Sequence, residues 1–242
     1  GDRYRAKLVV AADGRNSPMR EQSGIPVQTT RFGQKALAFA VSHPIPHENV
    51  STEIHRTGGP FTLVPLPDHD GMPCSAIVWM ETGPNARALF DLNVPEFEAA
   101  MTARSCNLLG PLILLGRRSL WPIISQLADR LSGQRVALVA EAAHVVPPIG
   151  AQGLNMSLGD IRALVELAVK DPENIGSRAM LDAYHKSRYA DVKLRVQGIT
   201  MLNRASMFDE QPLRDLRATG LSALYALPQV RKTLMQMGLG LK

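Results

Sequence analysis

The chain has 242 residues, a net charge of +5 at pH 7, 45% hydrophobic and 20% charged residues, and two cysteines. Such a length supports one large or two modest domains with a real core, and the composition excludes a disordered chain or a disulfide-built scaffold. Aromatics are only 5% and are not interleaved with the basic residues, which excludes a nucleic-acid surface; no run approaches the ~18 apolar residues of a spanning helix, and no apolar signal follows the opening GDRYRAKLVV.

In chain order, AKLVVAADG (6–14) is a short β-branched run ending in Asp-Gly, which predicts a buried strand and a sharp turn. RNSPMREQSG follows, with Ser17 as an N-cap, Pro18 at the first helical position and Gly24 as the stop, so a helix of one or two turns is expected. From about Pro26 to Trp121, short strand-like runs such as KALAFAVSH, FTLVPLP and CSAIVWMET recur between Pro, Gly and Asp. They predict a mostly antiparallel block, interrupted by helices near 86–92 and 95–109. HPIPH at 43–47 reads as a turn, because no third ligand is spaced to complete a metal site there. Cys74 and Cys106 read as reduced, buried thiols. RVALVA (135–140) is a second buried strand. Apolar residues at 154, 158, 161, 165 and 168 then mark one buried helix face, and a long helical pattern runs over 177–202. Arg188, Arg195, Lys186 and Lys193 on it read as a solvated face. Trp79 and Trp121 read first as core or interface residues.

Two motifs carry chemistry. In PPIGAQGLN, Pro147 and Pro148 lack N–H groups and keep the approach extended. Gly150, Ala151 and Gly153 let backbone press on a flat ligand, and a helix beginning near Leu154 turns its positive end to the same place. A phosphate fits that description, and so does a heterocycle that becomes anionic on reduction. In DGRNSPMR, Asp13 follows a strand directly and either takes a sugar hydroxyl or orients Arg20, which is placed to pair with a pyrophosphate. Taken singly, each motif is more often a mere turn or connector.

Together and in this order they resemble the flavoprotein aromatic hydroxylases of the para-hydroxybenzoate hydroxylase type. That family carries D-G-x-x-S-x-x-R, matched here at Asp13, Gly14, Ser17 and Arg20, and G-D-A-A-H-x-x-P-P-x-x-G-Q-G-x-N, matched at Ala142, Ala143, His144, Pro147, Pro148, Gln152, Gly153 and Asn155. The chain departs from it at Ala140 and Glu141, where the family has Gly-Asp, so Glu141 would have to reach the ribityl chain on a longer stem. GPFTLVPLP (59–67), SAIVWMET and the pattern YHKSRYADV…LNR…PLRDLRATGL are similar to the ubiquinone-biosynthesis hydroxylases within that family.

The resemblance implies an α/β fold with an α+β insert. A partial FAD-binding doubly wound domain occupies 1–25 and 133–185, a β-rich substrate domain 26–132, and a helical region 186–242. The glycine-rich G-x-G-x-x-G βαβ unit that would grip the ADP part is missing, so the chain is expected to be a truncated portion unable to hold FAD alone. The resemblance also implies hydroxylation of an aromatic ring, in the ubiquinone subgroup a polyprenylated phenol, using FAD, NAD(P)H and O₂, with the flavin and no protein residue carrying the chemistry. The implied cofactor contacts are Asp13, Gly14, Ser17, Arg20, Glu141, Pro147, Gly150, Ala151, Gln152, Gly153, Leu154 and Asn155. The implied substrate contacts are Pro148, Val64 and Trp79, the last two on a wall near 64–66 and 77–79. Two alternatives stay open, namely a hydroxylase of a small phenolic compound, and a non-catalytic assembly subunit of the same fold. His144 is expected to be structural, bonded to local backbone. The segment 221–242 is expected either to pack on the flavin domain or to touch a membrane surface from the cytoplasmic side. An unpaired sheet edge is expected to make the chain self-associate.

Overall fold

The computed structural model describes residues 3–56 and 58–207, so the expectation for 221–242 lies outside the described residues. In chain order the elements are β1 (Val9–Ala11), α1 (Pro18–Gln22), β2 (Val27–Ser42), β3 (Thr52–His55), β4 (Pro60–His69) and β5 (Met72–Thr82). They continue with α2 (Gly83–Asp91), α3 (Val94–Arg104), β6 (Ile113–Ala128), β7 (Ser132–Gly133), β8 (Val136–Leu138), β9 (His144–Val145), α4 (Gln152–Lys170) and α5 (Arg178–Ser206). The fold is mixed α/β, with an antiparallel sheet in mid-chain and two long helices after it. The chain divides into two compact units, one holding residues up to Thr30 with Ile124–Leu202, the other Arg31–Ile123 and the residues just after 202.

In the first unit, β1 pairs in parallel with β8, Val9 opposite Val136 and Ala11 opposite Leu138. β7 adds to β8 from the other side and leaves β1 at the edge of this small sheet. Val9 and Val10 are exposed and only Ala11 is buried, so the strand expected to be buried throughout is buried at one end. The core of the unit gathers Ala11, Leu131, Ala137, Leu138, Val139, Met156, Leu164, Leu181, Tyr184 and Val192. The fully buried Tyr184 donates its hydroxyl to the carbonyl of Leu138 at 2.8 Å, and burial pushes its pKa upward. That bond fastens α5 to β8 and satisfies a phenol that would otherwise be costly to bury.

Helix α4 corrects one expectation. Its buried positions are Met156, Asp160 and Leu164, with Ala163, Leu167 and Ala168 packed beside them. The stripe expected to be buried is largely outside: Leu154 is 69% exposed, and Leu158, Ile161 and Val165 are also exposed. Apolar residues recur at helical spacing on two sides of this helix, and the core takes the side that carries a lone aspartate.

In the second unit the strand order is β3-β4-β5-β2-β6, built on antiparallel pairs. The period-2 alternation of side chains divides the sheet cleanly. Leu37, Phe39, Phe61, Leu63, Ile77 and Trp79 form one face, packed with Phe97 and Met101 of α3 and Ala86 of α2. Phe39 meets Phe97 edge-on at 5.0 Å between ring centroids, and Phe61 meets Trp79 likewise at 5.4 Å. The opposite face carries small residues in register: Ala38 opposite Val78, Ala40 opposite Ala76, and Val64 opposite Ala76. Both helices start on the signals in the sequence, Pro84 early in α2 and the Asn93 side chain capping the Glu96 amide in α3. Cys74 is buried as expected, whereas Cys106, in the turn after α3, is exposed.

Candidate functional site

Because β1 and β8 are neighbours and parallel, the turns that follow them leave from the same end of the sheet. Ligands of open α/β sheets bind at that end. One turn holds Asp13 and Gly14; the other holds Ala140 and Glu141.

Asp13 caps the helix that its motif begins. Its carboxylate accepts the Ser17 hydroxyl at 2.5 Å and the Met19 amide at 3.1 Å, while Ser17 Oγ accepts the Arg20 amide at 3.0 Å. Burial works against its ionisation, but these two donors, with the Arg20 charge, hold its pKa below the usual carboxylate value. Arg20 is 3% exposed. It donates from Nη1 to the Ala142 carbonyl at 2.9 Å and from Nη2 to the Arg15 carbonyl at 3.0 Å. Its guanidinium therefore ties the first motif to the second from within the protein, instead of reaching outward to a phosphate. Gly14 sits at φ 87°, and a Cβ built there meets nothing within 4 Å, so the turn is open on that side.

The second loop is set by three contacts with the unit's core. β9 pairs with the end of β6, Leu127 opposite His144. The Ala128 amide donates to the Ala143 carbonyl at 2.8 Å. His144, 3% exposed, donates from Nε2 to Asp160 Oδ2 at 2.7 Å. It is structural as expected, but its partner is a side chain on α4 and not local backbone. Glu141 is exposed beside the buried Ala142. Pro147 is buried and Pro148 exposed, and a short 3-10 turn, Ile149–Ala151, precedes α4. The helix starts at Gln152, two residues before the expected Leu154.

Gly150 and Ala151 both take left-handed backbone, at φ 64° and φ 50°. No side chain caps the start of α4, and its first turn has no acidic residue. A Cβ at Gly150 or Gly153 meets nothing closer than 3.9 Å. Leu154 points to the outside, and Gln152 is anchored through Nε2 to the Gly150 carbonyl at 3.0 Å. Bare backbone around an uncapped positive helix end fits a flat group with an anionic edge.

The structure thus brings Asp13, Gly14, Ser17 and Arg20 together with the 140–142 turn. Trp79 is 4% exposed, on the face of the second unit's sheet covered by α2 and α3, where it packs in the core and borders a cavity of about 570 Å³ with Glu81, Asn85 and Arg104. Val64, 39% exposed, is on the opposite face of that sheet.

The sequence left two charged residues, Asp160 and Asp191, without a role and placed their partners Arg188 and Arg195 on a solvated face. Asp160 is fully buried and accepts from His144, from the Ala140 amide at 3.3 Å and from Arg188 Nε at 3.0 Å. Arg188 also binds Asp191 at 2.9 Å, and Asp191 binds Arg195 Nε at 2.9 Å. Arg195 Nη1 donates to Gln152 Oε1 at 3.2 Å. Burial works against the Asp191 charge, but the two arginines hold its pKa below the usual value. Arg188 and Arg195 are therefore ion-paired and mostly covered, not part of a solvated face; Lys186 and Lys193 are exposed as expected. The signal was in the sequence: Arg188, Asp191 and Arg195 stand three and four residues apart, the spacing of side chains that meet on a helix.

Compared with known proteins, the family model for the FAD binding domain matches residues 1–199. The ubiquinone hydroxylase UbiL of Rhodospirillum rubrum is 32% identical over 246 residues, covering 99% of this chain and 56% of that protein. The 3-demethoxyubiquinol 3-hydroxylase of Escherichia coli is 27% identical over 244 residues, covering 100% and 61%. Among solved structures, the Diels-Alderase PyrE3 of pyrroindomycin biosynthesis matches with a TM-score of 0.73 at 25% identity, covering 97% of this chain and 50% of that one. The chain spans little more than half the length of the curated relatives it matches. By these matches the chain belongs to the FAD-binding monooxygenase family and is a homologue of the ubiquinone hydroxylases.

Proposed function

We propose that this chain is the ring-side portion of an FAD-dependent monooxygenase that hydroxylates an aromatic ring, a polyprenylated phenol of ubiquinone biosynthesis, with NAD(P)H as reductant. The observation that carries this reading is the bare, uncapped start of α4, a helix that Asp160 ties to the turn after the paired strands β1 and β8. The homology to ubiquinone hydroxylases supports the substrate class.

When bound, the flavin supplies the redox and oxygen chemistry. The protein holds and polarises it. The amides of Gly150, Ala151, Gln152, Gly153 and Leu154, together with Asn155, would hold the edge of the ring that gains negative charge on reduction. Pro147 and Pro148 restrict the backbone on the approach to that ledge, which is turned and not extended as expected: Pro148 has ψ 32° and the Ile149 amide donates to the Pro147 carbonyl at 2.8 Å. Glu141, exposed in the turn after β8, would take a hydroxyl of the ribityl chain. Asp13, Gly14 and Ser17 shape the neighbouring turn, and Arg20 locks the two turns in register through the Ala142 carbonyl. Pro148 borders the substrate. In the second unit, taken by itself, Val64 stands on a small-residue face with Ala38, Ala40, Ala76 and Val78, an apolar surface suited to an apolar group.

The test is a visible spectrum. The 242-residue chain as purified is expected to be colourless. A polypeptide of the relatives' length that contains it is expected to be yellow, and to oxidise NAD(P)H faster when a polyprenylated phenol is added. Failure of the longer protein to bind FAD overturns the proposal. Flavin binding with stimulation only by small phenols would keep the reaction and change the substrate.

A further inference from the structure

The buried carboxylate of Asp160 stands at the centre of a closed set of bonds. In one direction it takes the His144 ring and the Ala140 amide, at the front of the loop. In the other it takes Arg188, and from there Asp191, Arg195 and Gln152 lead to the Gly150 carbonyl at the back of the same loop. Both ends of residues 140–152 are thus fastened to one aspartate on α4 and one row of charges on α5. Gly159 belongs to this design: a Cβ there would stand 2.8 Å from Arg188 Nη2, so glycine keeps the guanidinium's approach open although it weakens the helix. The loop needs a clamp, since Ala140 and Ala151 both hold left-handed backbone that alanine disfavours.

We infer that Asp160 is a positioning residue for the ligand-binding loop, and that the relay Arg188–Asp191–Arg195 sets the backbone at Gly150–Gln152 on which the ring would lie. The consequence for flavin rests on the proposed function; the clamp itself does not. Three donors converge on Asp160, and a carboxylate can accept all of them. An asparagine offers one acceptor oxygen and turns an NH₂ toward a remaining donor, so Asp160→Asn keeps the volume and breaks the clamp.

Hydrogen exchange read by mass spectrometry tests the inference on the purified chain, comparing wild type with Asp160→Asn, Arg195→Met and, as a control for general destabilisation, Leu164→Ala. Exchange over 140–155 is normalised to that of β6. Asp160→Asn is expected to raise the normalised loop exchange at least tenfold, Arg195→Met to raise it at least threefold over 149–155 alone, and Leu164→Ala to leave it unchanged. If Asp160→Asn does not fold, Arg195→Met decides. Loop exchange that rises no more than in Leu164→Ala, or is unmoved in Arg195→Met, overturns the inference. A second readout, on a polypeptide of the relatives' length that contains the chain, is the shift of loop amide resonances on adding FAD, expected to need at least tenfold more FAD in a folded Asp160→Asn. Loop amides of the wild type that never respond to FAD would sink the flavin reading, while the exchange result still decides the clamp.

Discussion

At the scale of single residues, Ala140 is the clearest departure of this chain from the family motif, and the structure gives it a physical meaning. It sits at φ 53°, where glycine pays no steric penalty and alanine loses roughly 1–2 kcal/mol. Glycine gives back part of that gain as chain entropy. Ala140→Gly is therefore expected to stabilise the chain by up to about 1 kcal/mol, read as a higher urea midpoint at unchanged slope; a lower midpoint would contradict the assigned backbone. His43 and His185 give a pH signature. Burial pushes both below the ordinary histidine pKa, and the Arg130 charge adds to this at His185. His43 is fully buried between the Ile45 carbonyl and the Ser75 hydroxyl, a setting matched by the neutral ring. A histidine whose native pKa is depressed binds more protons when unfolded, so its contribution is complete above about pH 6.5 and is lost as pH falls below that. The Glu81 carboxyl, raised by burial, acts in the opposite sense toward the carboxylate range. The urea midpoint at pH 5.5 is expected to lie below that at pH 7.5, with the gap narrowed in His43→Gln. Of the site, the motif residues were legible from their types and spacing. Asp160 was not, because a lone aspartate in an apolar helix reads as solvent-facing until its partners from distant segments are known.

At the scale of elements, the sequence placed strands and helices near their true positions where Pro, Gly and caps mark the ends, as at Ser17-Pro18 and Asn93. It was least reliable where two arrangements share one pattern. On α4, both the stripe of Met156, Asp160 and Leu164 and the stripe of Leu154, Leu158, Ile161 and Val165 repeat at helical spacing, and only tertiary contacts choose between them. The same reasoning separates Val64 from Trp79: strand parity puts them on opposite faces, but parity alone does not say which face the helices cover. The assignment on α4 is checked by a pair of variants. Met156→Ala is expected to cost about 2–4 kcal/mol as a core truncation. Leu158→Glu, on the outer face, is expected to stay within about 0.5 kcal/mol of wild type. Leu158→Glu should also lower the mass seen by light scattering, since an exposed apolar helix face and the open edge of β1 favour self-association. A clean monomer in the wild type would remove that expectation.

At the scale of the whole molecule, the family is secure and the reaction is not carried by the fold. A structural relative of 0.73 TM-score is a Diels-Alderase, so chemistry must be argued from the loop and its ligand. Among the described residues no helix is long and apolar enough to cross a membrane. What the chain contributes is a loop, residues 140–152, fastened at Ala142 by Arg20, at Ala140 and His144 by Asp160, and at Gln152 by Arg195. The most direct measurement is therefore a titration with FAD of an isotope-labelled polypeptide of the relatives' length that contains this chain, followed through the backbone amide resonances of these residues. The shifts are expected to centre on Gly150–Asn155 and Gly14, to saturate, and to spare the amides of α2 and α3. Saturating FAD that leaves 150–155 unmoved, or that shifts only residues of the second unit, would contradict the assignment of this loop to the flavin ring.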